Sequence, residues 1–366
     1  MNGERGVGGR REVLTAATVC VKVVAFFVKR IMEPTPKPKE YAPRMAHLII
    51  TDKCGNDCDH CFLGAPDGDT DMTREVVDAV VSQVDQVRSL TSITLMGGEP
   101  LKAEGIFWYA LEKALATGKM VNIGSNGFWG SSEEEIVRIV TRINDIAAKV
   151  KGTVLLFLSV DNEHQKKVPI SSIANIIDTT CSLQADNIRF IINTFARGED
   201  FEQACALVNE LEGRGYGVED SGSGMIFDTD EGLIVCSVRN SAKEEIRKIW
   251  IRLVRSIKAF GKGRAMIEKK IASGEVKLLG TKPFRAAAAN YFLASREGLI
   301  YSHERQLADH PEDGAPIINA DGSVINLTDA LELSSSRMRP ATVEAYFPPL
   351  DQLPAGPFFF ERAVEN

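Results

Sequence analysis

The chain has 366 residues, of which 44% are apolar and 25% charged, ordinary values for a globular protein with a sizeable core. A net charge of −7 gives its surface no general attraction for nucleic acid or anionic lipid, so no nucleic-acid partner is expected. Seven cysteines, an odd number, argue against a disulfide framework and for free thiols in a reducing compartment, hence a cytoplasmic protein.

Residues 1–45 read as an apolar helix followed by a proline-rich linker. Residues 13–28 are mostly apolar, with Arg10-Arg11 before them and Lys29-Arg30 after. The stretch is shorter than the roughly 20 residues that span a bilayer, Lys22 interrupts it, and no A-x-A cleavage site follows. Val13, Ala17, Val21 and Val24 recur at helical spacing, which favours a helix packed on the protein over peripheral membrane contact. Pro34, Pro36, Pro38 and Pro43 make the linker.

From residue 46 onward, strand and helix patterns alternate. A first strand at 47–51 precedes a cysteine-rich loop. A helix over 72–90 carries Val76, Val80, Val84 and Val87 on one face. A second strand follows at 93–96, a helix at 103–117 and a third strand at 120–125. The helix over 131–149 has Ser131 or Ser132 as its cap and three glutamates in its first turn, which suits the helix dipole. Then come a fourth strand at 154–160, a helix at 171–183, a fifth strand at 188–193 and a helix at 201–213. Beyond these, 222–224 reads as a loop, 225–227 and 233–238 as extended segments, and 241–260 as a long helix. Alternation with near-continuous apolar strands argues for a parallel sheet.

The loop after the first strand carries Cys54, Cys58 and Cys61, read as CGNDCDHC. Three thiolates on one loop can hold three corners of a cubic iron–sulfur cluster and leave one iron open. A structural zinc site wants four ligands, and no later cysteine or histidine pair completes one. The turn after the second strand reads Gly97-Gly98-Glu99-Pro100. With this C-x3-C-x2-C spacing and this GGEP in this order, the chain resembles the radical S-adenosylmethionine (SAM) superfamily.

The resemblance implies an α/β fold, a partial (β/α)6 barrel over 46–262 with a small C-terminal α+β extension over 263–366. It implies one 4Fe–4S cluster on Cys54, Cys58 and Cys61, SAM as the second cofactor, and an electron donor such as flavodoxin or ferredoxin. His60 takes the position that an aromatic residue holds before the third cysteine. Gly97 and Gly98 would run close to the methionyl part of SAM, with Glu99 beside them, so that valine at either glycine blocks SAM while sparing the cluster. Parallel α/β sheets put function at the carboxyl ends of their strands. Ser125, Asn126, Ser159, Asp161 and Asn193 stand there and are the further candidates for binding SAM, the alternative for each being a turn or cap residue. His164, just past the fourth strand, is either an acid–base residue or a surface histidine. Arg189 reads as a salt-bridged barrel residue rather than a substrate clamp.

Gly261-Lys262-Gly263-Arg264-Ala265 resembles the element that precedes accessory domains in peptide-modifying members, and residues 315–327 resemble the hairpin of SPASM and twitch domains, with Asp321-Gly322 as its turn. Those domains usually carry cysteines, and none follows Cys236. Cys181, Cys205 and Cys236 fall on separate elements, which argues against a second cluster, and Cys236 is a buried thiol rather than a hydrogen donor. The apolar tail, residues 340–366, either covers the site or seals the barrel. The resemblance implies reductive cleavage of SAM to a 5′-deoxyadenosyl radical acting on a small-molecule or amino-acid-like substrate. Modification of a ribosomal peptide, transfer of the 3-amino-3-carboxypropyl group of SAM, and a non-catalytic iron–sulfur role are the alternatives.

Overall fold

The computed structural model describes residues 43–61, 63, 67–195, 198–225, 232–240, 242, 244–254, 256–257, 262, 291–301, 312, 314–319, 323–336 and 345–346. The N-terminal apolar segment, most of the expected tail and the Asp321-Gly322 turn lie outside them. Among the described residues no helix is long and apolar enough to cross a membrane.

The first strand, β1 (Met45–Lys53), pairs in parallel with β3 (Ser92–Gly97), and β3 with β4 (Met120–Ser125), β5 (Val154–Ser159) and β6 (Ile188–Phe195) in turn. Helices join them: α1 (Arg74–Gln86), α2 (Glu104–Ala116), α3 (Glu133–Lys149), the single turn α4 (Asn162–Gln165) with α5 (Ile170–Ser182), and α6 (Gly198–Gly213) after β6. Hydroxyl side chains cap two of the helix starts. Thr73 caps α1 by accepting from the Val76 amide, and Ser132, not Ser131, caps α3 by accepting from Glu135. A short strand, β2 (Asp67–Asp71), lies antiparallel to the end of β1.

Within β5 and β6, burial alternates residue by residue. Val154, Leu156, Leu158, Ile188, Phe190 and Ile192 are fully buried, while Leu155, Phe157, Ser159, Arg189, Ile191 and Asn193 are half-buried. One face therefore carries the core, at about 1.5–3 kcal/mol for each large side chain removed from water. The other face lines the partly open side of the sheet.

The sixth parallel strand is β9 (Glu245–Val254), which pairs with β6. This corrects the expected helix at 241–260. The segment reads EIRKIWIRLV, and Arg247, Ile249 and Ile251 are buried while Lys248 is exposed and Trp250 and Arg252 are half-buried. That is a period of two, which a helix cannot satisfy. β7 (Gly217–Met225) and β8 (Gly232–Arg239) precede β9 in an antiparallel run, so the Gly222-Ser223-Gly224 stretch read as a loop is part of a strand. A register shift between Asp220 and Gly222 marks where the glycine-containing segment slips.

Arg247 explains why β9 seats as it does. Its side chain is 2% exposed, and its guanidinium donates to the carbonyls of Ile188 (2.6 Å), Ala185 (3.4 Å) and Thr180 (3.5 Å) at the end of α5 and the start of β6. Arg247→Ala leaves those buried acceptors short of donors, which costs about 1–3 kcal/mol. A urea midpoint that does not move would contradict this anchoring role.

On the other side of β1 the sheet continues with β11 (Tyr291–Ala294), parallel to β1, then β12 (Leu299–Tyr301) and β13 (Ala315–Pro316), both antiparallel. The expected hairpin is visible beyond β13. Ile318 and Val324 face each other in an antiparallel bridge, and the Asn319 amide donates to the Ser323 carbonyl at 2.8 Å. A helix that the sequence did not announce, α7 (Leu327–Ser336), follows it. Two residues of the tail are described, β14 (Ala345–Tyr346), paired antiparallel with β10 (Ser256–Ile257).

Candidate functional site

The cysteine loop, the GGEP turn and Ser125, Asn126, Ser159, Asp161 and Asn193 sit at or near the carboxyl ends of the parallel strands. β1 runs straight into the cysteine loop, and the GGEP turn leaves the adjacent strand β3. The two are tied by backbone hydrogen bonds: the Gly98 amide donates to the Thr51 carbonyl at 2.8 Å and the Glu99 amide to the Lys53 carbonyl at 2.6 Å.

The two glycines are required by this approach. A Cβ on Gly97, whose φ is +151°, would lie 2.3 Å from the Thr51 carbonyl oxygen, and one on Gly98 would lie 2.4 Å from that of Lys53. The contacts that demand glycine here are with β1, at Thr51 and Lys53, the last residues before Cys54.

Glu99 is fully buried and caps the turn that follows. Its carboxylate accepts from the Leu101 amide (3.3 Å), the Asn126 amide (2.7 Å) and the Ser125 hydroxyl (3.1 Å). Ser125 also accepts from the Gly127 amide (3.0 Å) and from Trp129 Nε1 (3.1 Å). One donated and two accepted bonds fill a hydroxyl's capacity, so Ser125 serves to fix Glu99 and the β4 turn. Asn126 Oδ1 takes the Phe128 amide at 2.9 Å, while its buried Nδ2 has no partner among the described residues.

Burial pushes the Glu99 carboxyl up to about 7, against the opposing pull of its three donors and Lys102. A carboxyl raised in the folded state makes folding costlier as pH rises from the ordinary glutamate range through about 7. Stability should therefore grow by up to about 3 kcal/mol as pH falls from 8 towards 5, and Glu99→Gln should flatten that slope. Parallel slopes for the two proteins in pH-dependent urea unfolding would refute the assignment.

The cysteine loop is held from three directions. Cys58 is buried, Cys54 and Cys61 are half-buried, and all three thiols are free. The Asp59 amide donates to Glu163 Oε2 (3.3 Å) and Lys167 Nζ to the Gly55 carbonyl (2.9 Å), both from the segment after β5. The Lys262 amide donates to the Cys61 carbonyl at 3.2 Å and its ammonium pairs with Asp57. Lys102 lies against Gly55, whose φ is +78°. No sequence pattern marks Glu163, Lys167 or Lys102, and Lys262 is marked only by its place in the Gly261-Lys262-Gly263-Arg264-Ala265 element.

Asp161 caps α4. Its Oδ1 accepts the amides of Glu163 and His164 at 3.0 Å each, and its Oδ2 takes His164 Nδ1 at 2.7 Å, with His60 Nε2 4.0 Å away. Burial raises the Asp161 carboxyl, but the charge and hydrogen bond of His164, together with His60, outweigh it and hold the group ionised. Burial depresses His164, yet Asp161 and a hydrogen bond with Cys58 leave it well above the ordinary histidine value. The surface reading of His164 is thus corrected: it is packed 5.2 Å from the His60 ring and bonded into the site. The His60 ring lies edge-on to Phe195, their centroids 5.0 Å apart.

Ser159 and Asn193 face each other across β5 and β6, and Asn193 Oδ1 is buried without a partner among the described residues. Arg189 forms no ion pair among the described residues, in contrast to the salt-bridged role expected of it. Cys181, Cys205 and Cys236 lie on α5, α6 and β8.

The thiol set suits a polynuclear cluster. Among the described residues, the only histidine, cysteine and acidic side chains close enough to share one ion are His60, Asp161 and His164, and there the Asp161–His164 contact is already a hydrogen bond. The three cysteines do not converge on a single-ion site. Burial pushes the Cys54 thiol up, opposed by the Asn56 amide and reinforced by Glu99, Cys61 and Cys58. A thiol in that setting is held as thiolate when a metal supplies the compensating charge.

No known family profile matches the chain. Over 132 residues, 36% of the chain, it is 27% identical to the putative peptide biosynthesis protein YydG of Bacillus subtilis strain 168, and the match spans 40% of that protein's length. Among solved structures it is similar to BtrN in complex with AdoMet and 2-DOIA, with 10% identity over 82% of this chain and 87% of the other and a TM-score of 0.43. It is also similar to SuiB of Streptococcus suis bound to the precursor peptide SuiA, with 12% identity over 96% of this chain and 73% of the other and a TM-score of 0.45.

Proposed function

We infer that this chain, a radical SAM protein by its cysteine motif, its GGEP turn and its parallel sheet, is an enzyme that cleaves S-adenosylmethionine reductively to modify a natural-product-like substrate. The observation that carries the reading is the loop itself: three free thiols at the carboxyl end of β1, a strand bonded to the GGEP turn, on a loop bonded to the β5–α5 connection. Cys54, Cys58 and Cys61 would hold a 4Fe–4S cluster with one iron left open.

With cluster and SAM bound, one electron passed from a donor such as flavodoxin or ferredoxin would break the C5′–S bond of the SAM sulfonium, giving methionine and a 5′-deoxyadenosyl radical that would take a hydrogen atom from the substrate. The protein's own residues hold the reactants and keep water away. Gly97 and Gly98 bring the second strand against β1. Glu99 and Ser125 fix the turn that presents Asn126. Asn126 Nδ2 and Asn193 Oδ1 are buried polar atoms still lacking partners, and they are the residues we assign to polar groups of SAM or substrate. His60, next to Cys61 in the loop, has its ring packed edge-on to Phe195.

A small-molecule or amino-acid-like substrate is the first assignment. The stretch shared with YydG, described as a peptide biosynthesis protein, favours a ribosomal peptide as the second. The test is the nucleoside released when the anaerobically reconstituted protein meets SAM and dithionite. 5′-Deoxyadenosine is expected. 5′-Methylthioadenosine would replace this reading by aminocarboxypropyl transfer, and SAM left intact beside a reduced cluster would leave a non-catalytic iron–sulfur protein.

A further inference from the structure

We propose that the open face of the sheet holds the headgroup of an amino-acid-like substrate, with Arg189 on its carboxylate and Asn122 on its amino group. The proposal rests on the reading of this chain as an enzyme that modifies such a substrate, and it gives Arg189 a role other than the salt-bridged one expected of it. The strand register carries it. Asn122 on β4 pairs with Leu155 on β5, and Leu155 with Arg189 on β6, so the three lie on one rung and present their side chains to one face. Leu155 and Arg189 are among the half-buried positions, on the open side of the sheet.

Two unmet polar groups share that rung. Arg189 is a half-buried cation with no ion pair or hydrogen bond among the described residues. Such a cation is unfavourable unless a ligand brings the anion, and a guanidinium fork matches a carboxylate with two parallel bonds. No acidic residue stands in β5 or β6 to repel that carboxylate. Asn122 is 5% exposed. Its Nδ2 donates to Thr94 Oγ1 on β3 at 3.1 Å, so its Oδ1 is turned away from β3, and that buried oxygen has no partner among the described residues. It calls for an N–H donor. Two strand spacings, roughly 10 Å, separate Asn122 from Arg189. The arginine side chain and one amino-acid headgroup between them can span that gap.

The way from this rung to the strand tips is open over β4. Gly124 takes the next position on the same face, paired with Phe157. The fold does not impose glycine there, because an added Cβ would meet nothing nearer than Met96 Cβ at 3.6 Å, an ordinary contact. Backbone oxygens forbid a Cβ at Gly97 and Gly98, so Gly124 is glycine for another reason, and room for a ligand is the one this face supplies. Phe157, Ile191 and Trp250 continue the rung of Gly124 across β5, β6 and β9. An apolar side chain seated on that rung would carry its carbons toward Ser159 and Asn193 at the strand tips. The substrate class is therefore an amino acid with an apolar side chain, held by its headgroup at the amino end of the face.

The experiment is equilibrium dialysis of L-leucine, L-phenylalanine and L-tyrosine, and of their carboxamides, against the reconstituted full chain with SAM and no reductant. At least one free acid should bind about tenfold or more tighter than its amide, the worth of a hydrogen-bonded charge. Arg189→Gln should weaken that acid by about the same factor and leave the amide where it was, and Arg189→Lys, which keeps the cation without the fork, should recover part of the loss. A merely structural role for Arg189 would move acid and amide together. Gly124→Val should fill the open position and weaken both. The proposal is overturned by a wild type that binds none of the six, by acid and amide binding it equally, or by Arg189→Gln binding the acid as wild type does. If Arg189→Gln does not fold, Gly124→Val decides, and wild-type affinity in it is the overturning result. The two readings fail separately. A wild type that makes no 5′-deoxyadenosine once dithionite is added overturns the reading on which this one rests, while one that makes it and binds acids without Arg189 overturns the anchor alone.

Discussion

Replacing Cys54, Cys58 and Cys61 together by alanine is expected to leave a folded chain that takes up no iron. The three residues sit on a loop without regular structure, after β1 has made its pairs with β3 and β11. Only Cys58 is buried, and losing one sulfur from a loop site costs on the order of 1 kcal/mol. The loop's anchors are backbone groups of Gly55, Asp59 and Cys61, which alanine keeps. Unfolding by urea should therefore match that of the metal-free wild type, while iron falls from about four per chain to none. Iron near eight per chain in the wild type would refute a single cluster, and retained brown absorbance in the triple variant would refute its location.

Valine at Gly97 or Gly98 is expected to cost the protein its cluster along with SAM binding. From the family resemblance alone the opposite follows, a protein with iron and no SAM. The geometry decides between them. The added Cβ at Gly97 would stand 2.3 Å from the Thr51 oxygen, where ordinary contact begins near 3.4 Å, so β1 must retreat by about 1 Å. The +151° φ of Gly97 is strained for any other residue, at about 1–3 kcal/mol before the clash is counted. That strain falls on the strand that delivers Cys54. Iron per chain after reconstitution should drop severalfold in both variants. Full iron with SAM binding abolished would restore the reading in which the glycines clear space for SAM alone.

Much of the fold was legible because the strands that matter carry strong local patterns. The apolar runs at 93–96 and 154–159, the Ser132 cap and the acidic first turn of α3 all act where sequence alone puts them. β9 was not legible for a physical reason. Glu245–Val254 mixes isoleucine and tryptophan with arginine and lysine so that both a helical stripe and a strict alternation can be drawn through it. Arg247 decides the matter only in three dimensions, by meeting carbonyls at the ends of α5 and β6.

In the site, the three loop cysteines and the GGEP turn were readable because their spacing is local. What the spacing did not carry was the division of labour among the strand-tip residues. Ser125 spends its hydroxyl on the fold, Asp161 faces His164, and among the described strand-tip residues Asn126 and Asn193 keep buried polar atoms in reserve. The contacts of Glu163, Lys167 and Lys262 with the cysteine loop span more than a hundred residues of sequence, and no local pattern announces them.

The claim on which the rest depends is that an open iron of the loop's cluster receives SAM. It is tested most directly by the electron paramagnetic resonance spectrum of the dithionite-reduced, reconstituted protein, recorded with and without SAM. The account predicts a single cluster signal whose g values change on adding SAM. A signal of normal intensity that SAM leaves unchanged would contradict it.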